Sequence, residues 1–147
     1  METLKVKERA QLEECLALRF AVFVDEQGVP AEEEIDAFDA SPEASSHVLI
    51  KYEGIPVATG RWREYEPGMA KLQRIAVAKS SRGSGLGKAV IAALEEDARK
   101  AGMRSAILDA QTHAEAFYGK LGYETVSTEP FLDAGIWHVR MKKRLAS

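Results

Sequence analysis

The sequence predicts a single mixed α/β (α+β) domain: a central, mainly antiparallel sheet flanked by helices, in the order β-α-βββ-α-β-α-ββ. Three observations predict it. Three strand-like runs are separated only by short turns, which makes an antiparallel meander. A later segment carries apolar residues at every fourth position, as an amphipathic helix does. Directly after it, the apolar run SAILDA reads as a buried strand. The 147 residues are the size of one domain, predicted to span 1–147, and a hydrophobic content of 46% supplies its core.

Taken in order, residues 3–7 alternate and form a short first strand. From Glu8 the pattern becomes helical, with Leu12, Cys15, Leu16, Phe20 and Phe23 on one side, until Gly28-Val29-Pro30 ends it. Residues 32–46 are acidic and irregular, carrying Glu34, Asp36 and Asp39; a connection of this length points to a functional loop or a short helix. The meander covers residues 47–53, 56–65 and 70–78. In its third strand the alternation slips, because Leu72 is apolar at an even position and Ile75 and Val77 at odd ones. A change of face inside a strand predicts a β-bulge, and bulges cluster beside active sites. Residues 87–101 form the clearest helix, with Leu86, Val90, Leu94 and Ala98 on its buried stripe, Ile91 and Ala101 beside it, and Lys88, Glu95, Glu96, Arg99 and Lys100 left for solvent. Gly102 caps it. A strand at 105–110, a short helix at 114–121 closed by Gly122, and strands at 123–126 and 136–141 complete the order.

Composition excludes several classes. Twenty Lys and Arg against 23 Asp and Glu leave a formal net charge of −3, without the basic excess of a general nucleic-acid binder. The single cysteine, Cys15, forms no internal disulfide and no Cys-rich zinc site; on the apolar stripe it reads as core. No apolar run reaches membrane-span length and the N-terminus lacks a signal-type apolar region, so the expected setting is the cytoplasm, away from membranes. The acidic segment lacks the glycine and final glutamate of a calcium loop, and no metal is expected.

The most informative stretch is Arg82-Gly83-Ser84-Gly85-Leu86-Gly87-Lys88, in which a strand enters a glycine-rich loop and then a helix. Glycines admit a phosphate close to the backbone N–H groups, and the helix N-terminus favours its charge. Arg82 and Lys88 add a cation at each end. The spacing is neither that of a nucleotide P-loop nor the G-x-G-x-x-G of a dinucleotide fold. A plain structural turn is the competing reading.

The same stretch resembles the R/Q-x-x-G-x-G/A motif of the GNAT superfamily of acyl-CoA-dependent N-acetyltransferases. Ile75-Ala76-Val77 before it and Lys88-Ala89-Val90-Ile91 after it fit that family. Ala116-Phe117-Tyr118-Gly119-Lys120-Leu121-Gly122-Tyr123 is similar to its A-x-F-Y-x-x-x-G-F/Y helix, except that nothing separates Ala116 from Phe117. Residues 18–27, Glu34-Ile35-Asp36 and Gly135-Ile136-Trp137-His138 resemble the small bacterial ElaA-like branch.

The resemblance implies transfer of an acetyl group from acetyl-CoA, as cosubstrate, to an amine. The loop from Arg82 through Gly83, Ser84, Gly85, Leu86 and Gly87 to Lys88 would hold the pyrophosphate. The main chain of Ile75, Ala76 and Val77 would pair with the pantetheine arm in a cleft where the sheet splays, and a bulge N–H near Ile75 would meet the thioester oxygen. Tyr118 stands where the family often places the acid for the leaving thiolate; a half-buried core tyrosine is the competing reading. An alkyl ammonium of pKa about 10.4 is only roughly 0.04% free base at pH 7, so a base is needed. His138 is one candidate and Glu34, Asp36 and Asp39 are rivals. Arg19, Glu34 and Asp36 are also candidate acceptor-binding residues. The expected acceptor is a small-molecule amine. A non-catalytic acyl-CoA-binding or sensing domain and a protein or peptide amine acetyltransferase are the alternatives. The oligomeric state is left open, a homodimer included.

Overall fold

The computed structural model describes residues 1–145; the last two residues of the expected 1–147 domain lie outside the described residues. The strands are β1 (Glu2–Lys5), β2 (Ser46–Tyr52), β3 (Ile55–Glu66), β4 (Met69–Val77), β5 (Ser105–Gln111), β6 (Glu124–Thr125), β7 (Phe131–Asp133) and β8 (Ile136–Arg144). The helices are α1 (Arg9–Arg19), α2 (Ala31–Glu34), α3 (Leu86–Lys100) and α4 (Glu115–Lys120). All eight strands join one sheet, in the order β1-β2-β3-β4-β5-β8-β6, with β7 also pairing β8. Every pairing is antiparallel except β4 with β5. The predicted class, helix-flanked and mainly antiparallel, is the observed one.

Local chemistry explains the elements. The Gln11 side chain accepts the N–H groups of Lys7 and Glu8, which starts α1. The α3 stripe is as expected: Leu86, Val90, Ile91, Leu94 and Ala98 are buried against β3 and β4. Gly102, at φ +92, turns the chain out of that helix. Gly60 makes close packing there possible, because a Cβ at that position would lie 2.7 Å from Val90 Cγ1 and 2.8 Å from Leu94 Cδ1.

Four expectations are corrected. The first helix changes to π-helical geometry over Phe20–Glu26, and its buried stripe is Leu12, Cys15, Leu18, Arg19 and Val22. Phe20 is exposed, since the inward position is taken by Arg19, whose charge is met by carboxylates. Glu95 is buried, where it accepts the Tyr123 hydroxyl hydrogen bond at 2.8 Å and pairs with Lys143 at 2.9 Å. Ala101, expected beside the α3 stripe, is exposed, because the helix ends at Lys100 and Ala101 is its C-terminal cap. The β7–β8 hairpin, turned by Ala134 and Gly135 at positive φ, is an addition to the expected strands.

Candidate active site

The cleft arises from one strand pair. β4 and β5 run in parallel register only over Met69–Leu72 and Ser105–Leu108. Both strands continue, to Val77 and to Gln111, and over that length they are not paired with each other. The gap holds a cavity of about 550 Å³, whose walls include Ile75, Asp109, Gln111, Tyr118 and His138.

The predicted bulge lies on the β4 wall. The register jumps from Thr59–Ala76 to Arg61–Gln73, so Arg74 and Ile75 together face the single residue Gly60. Arg74 takes φ +56, a left-handed conformation that side chains disfavour.

At the far end of β4 the glycine loop opens to solvent. Gly83 and Gly85 have φ +86 and +80, and nothing lies within 4 Å of the place a Cβ would take at either. The Ala89 N–H makes a bond to the Gly85 carbonyl, 3.1 Å. The N–H groups of Leu86, Gly87 and Lys88 therefore precede the intrahelical ladder and offer an anion cradle. The side chains of Leu86 and Ala76 point into the core; only their backbones are available to a ligand. Arg82 donates from Nε to the Val77 carbonyl (3.2 Å) and pairs with Glu26 at 2.7 Å, which ties the π-helical segment to this loop.

Two candidate proton-transfer groups line the cavity. The His138 ring stacks on Phe131 and its Nδ1 lies 2.7 Å from the Ile136 carbonyl. A carbonyl only accepts, so Nδ1 carries the hydrogen and Nε2 is the acceptor nitrogen of the neutral ring. Tyr118 sits edge-on to Phe117 and Tyr123, and burial pushes its phenol up to about 12. The hydroxyl keeps its proton across the neutral range.

The acidic segment has another task. Arg19 is 1% exposed; it donates to Glu34 at 2.8 Å and to both Asp39 oxygens at 2.7 and 3.0 Å. Arg61, also fully buried, donates to Asp39 at 2.7 Å and to both Asp36 oxygens at 2.8 and 2.7 Å. The two guanidiniums hold the Asp39 carboxyl far below the usual carboxylate range, and Arg61 lowers that of Asp36. Buried beside them, His47 is pushed down to about 4. Arg19 and Asp36 are thus committed to each other's neighbourhood and do not line the cavity. Glu34 does reach the cavity wall, but it is occupied by Arg19 and by Arg74, 3.4 Å away.

Sequence reasoning missed Arg61 and Arg74 as partners of these carboxylates. The available signal was a cation between inward-facing strand residues: burial of Arg61 next to Gly60 and Trp62 requires counter-charge, and the acidic segment supplies it. It also missed Gln27 and Gln111, which line the cavity and bond to each other at 3.0 Å, and the Lys71–Asp109–Arg140 cluster, of which Lys71 and Asp109 line the cavity. Among the described residues no three His, Cys, Asp or Glu side chains gather as metal ligands do.

The family model of the acetyltransferase (GNAT) domain matches residues 10–145. The chain belongs to the GNAT acetyltransferase family. The GNAT chain is 45% identical over 144 residues to the N-acetyltransferase YjcF of Bacillus subtilis, covering 97% of this chain and 99% of that protein. Among solved structures it is similar to Escherichia coli ElaA, at 27% identity and a TM-score of 0.84, covering 97% of this chain and 98% of that one. An acyl-CoA N-acyltransferase from Pseudomonas aeruginosa gives 26% identity and a TM-score of 0.85, covering 97% and 99%. The protein is an N-acetyltransferase, and GNAT enzymes take their acyl group from acyl-CoA. No helix among the described residues is long and apolar enough to cross a membrane.

Proposed function

We propose that this GNAT enzyme transfers the acetyl group of acetyl-CoA to the amine of a small molecule by direct attack within the β4–β5 cleft. One observation carries the reading: the β4–β5 cavity brings Tyr118 and His138 together beside Ile75 of the bulge, and the strand that carries the bulge leads on to the open N–H cradle at the start of α3. The backbone N–H groups from Gly83 to Lys88, with Arg82 and Lys88, hold the pyrophosphate; Arg82 exchanges Glu26 for it. The pantetheine arm follows Ile75, Ala76 and Val77 as an added strand. The bulge N–H at Ile75 stabilises the oxyanion as the amine nitrogen bonds to the thioester carbon. His138 Nε2 removes the amine proton and the C–S bond breaks. Tyr118 donates to the departing sulfur, as a hydrogen bond first, since its phenol is a weaker acid than a thiol. A volume of about 550 Å³ suits a small amine beside the acyl end.

The test is the thermal midpoint with and without acetyl-CoA, in wild type and in Gly87→Glu. Gly87 is preferred to Gly83 or Gly85 because only the latter two have left-handed backbones, and its nearest neighbour, Phe117 Cζ, is 3.5 Å from an added Cβ. Wild type should be stabilised by about 2.7 kcal/mol at a hundredfold excess over Kd. Gly87→Glu, with a carboxylate in the cradle, should fold and lose that gain. No shift in wild type sinks the reading. A shift with no CoA release from acetyl-CoA in the presence of any small amine offered would move the acceptor to a protein or peptide amine.

A further inference from the structure

Among the described residues three that are not glycine have left-handed φ. Glu53 and Ala134 lie in hairpin turns, where that conformation is ordinary. Arg74, at φ +56, lies inside β4. A strained residue persists only where its surroundings over-determine it. Here they do so through the side chain. Arg74 Nε donates to the Glu34 carbonyl at 3.2 Å, and Nη2 donates to the Glu33 carbonyl at 3.4 Å. The guanidinium also lies 3.4 Å from the Glu34 carboxylate and 3.5 Å from that of Asp36. These partners are themselves fixed. Arg19 holds the same Glu34 carbonyl at 2.9 Å and its carboxylate at 2.8 Å, and Arg61 holds both oxygens of Asp36. The segment from Glu33 to Asp36, anchored by two buried arginines, therefore grips the bulge through the Arg74 side chain.

We infer that Arg74 is a positioning residue for acyl transfer: the grip on its guanidinium keeps the β4 bulge in the shape that turns the Ile75 N–H toward the reacting carbonyl. The inference rests on the reading of the cleft as the acyl-CoA site. Without the grip nothing holds the backbone of residue 74 at φ +56, and a glycine there, free to take either sign of φ, leaves the bulge amide no longer fixed to the cleft. Acetyl-CoA binding, which depends on the glycine loop, is left intact.

Arg74→Gly separates positioning from stability, because glycine accepts φ +56 without strain while losing every contact of the guanidinium. Arg74→Lys keeps a cation but not the fork. Two readouts are needed. The first is CoA thiol release from acetyl-CoA in buffer, where the water oxygen adds to the carbonyl carbon, the C–S bond breaks, and acetate and the thiol leave; it needs no knowledge of the acceptor. The second is the amide resonance of Ile75 as acetyl-CoA is added. Arg74→Gly should keep a midpoint near that of wild type and bind acetyl-CoA within threefold of it. It should release CoA at least tenfold more slowly, with an Ile75 amide that no longer moves on binding. Arg74→Lys should fall between, and it decides the matter if Arg74→Gly does not fold. Release within twofold of wild type, or an Ile75 amide that moves as in wild type, overturns the inference while acetyl-CoA still raises the midpoint. If acetyl-CoA fails to raise the midpoint of wild type, the reading of the cleft falls first and this inference falls with it.

Discussion

The proposal that His138 is the base draws on its own strand: the Ile136 carbonyl claims the Nδ1 hydrogen, which leaves Nε2 as the acceptor nitrogen of a neutral ring stacked on Phe131. Tyr118 reaches the same cavity from α4 with a phenol that burial pushes up to about 12, so it keeps its hydrogen for donation through neutral and mildly alkaline pH. These roles predict different pH–rate profiles. Tyr118→Phe should lower kcat by about a hundredfold with the KM for acetyl-CoA unchanged, and should keep the profile's rise near neutrality. His138→Gln should flatten that rise. A Tyr118→Phe enzyme with full kcat would leave Tyr118 as a packing residue, and an unaltered profile in His138→Gln would move the base to Glu34 or to a bound water.

Among the elements, α3 does two things at once. Its N-terminus offers the cradle, and its apolar stripe presses on the strands that carry the bulge. That approach is so close that it tolerates no side chain at Gly60, opposite Arg74 and Ile75. Gly60→Ala must displace Val90 or Leu94, both fully buried, and should cost about 1–3 kcal/mol in denaturant unfolding. A variant as stable as wild type would mean that α3 can lift off the sheet without penalty. On the opposite side, the π-helical segment after α1 ends in Glu26 and Gln27, which bond to Arg82 and Gln111 on the two arms of the cleft. π-Helical geometry is often found at functional sites, and here it delivers two adjacent side chains to the two cleft walls.

For the whole molecule, the acidic segment is attached to the sheet by charge. Arg19, Arg61 and Arg74 meet Glu34, Asp36 and Asp39 across α1, α2, β3 and β4, with His47 buried beside them. His47 titrates at about 4 in the fold against 6.5 for a free side chain, because burial and the nearby Arg19 and Arg61 outweigh Asp39. The unfolded chain therefore takes up this proton first. The stability contributed is complete above pH 6.5 and is lost as pH falls toward 4, by up to roughly 3 kcal/mol. Carboxyls lowered by the arginines add further loss below that window, in the same direction. A fall of the thermal midpoint between pH 6.5 and 4.5 that is smaller in His47→Gln is the expected result; an equal fall in both would assign the loss to other groups. What could be read along the chain was whatever neighbours encode. The α3 stripe follows from residues four apart, the hairpins from their turn residues, and the bulge and glycine loop from breaks in local period; the motif around Arg82 and the Phe117-Tyr118 pair carried the family. What could not be read depends on partners far apart in sequence. Phe20 yields the inward place to Arg19 because carboxylates 15 and 20 residues away neutralise the charge, and Arg61 is buried because others 22 and 25 residues away do the same. The cleft exists because β4 and β5 stop pairing after Leu72 and Leu108, an event between strands that no spacing within either one records.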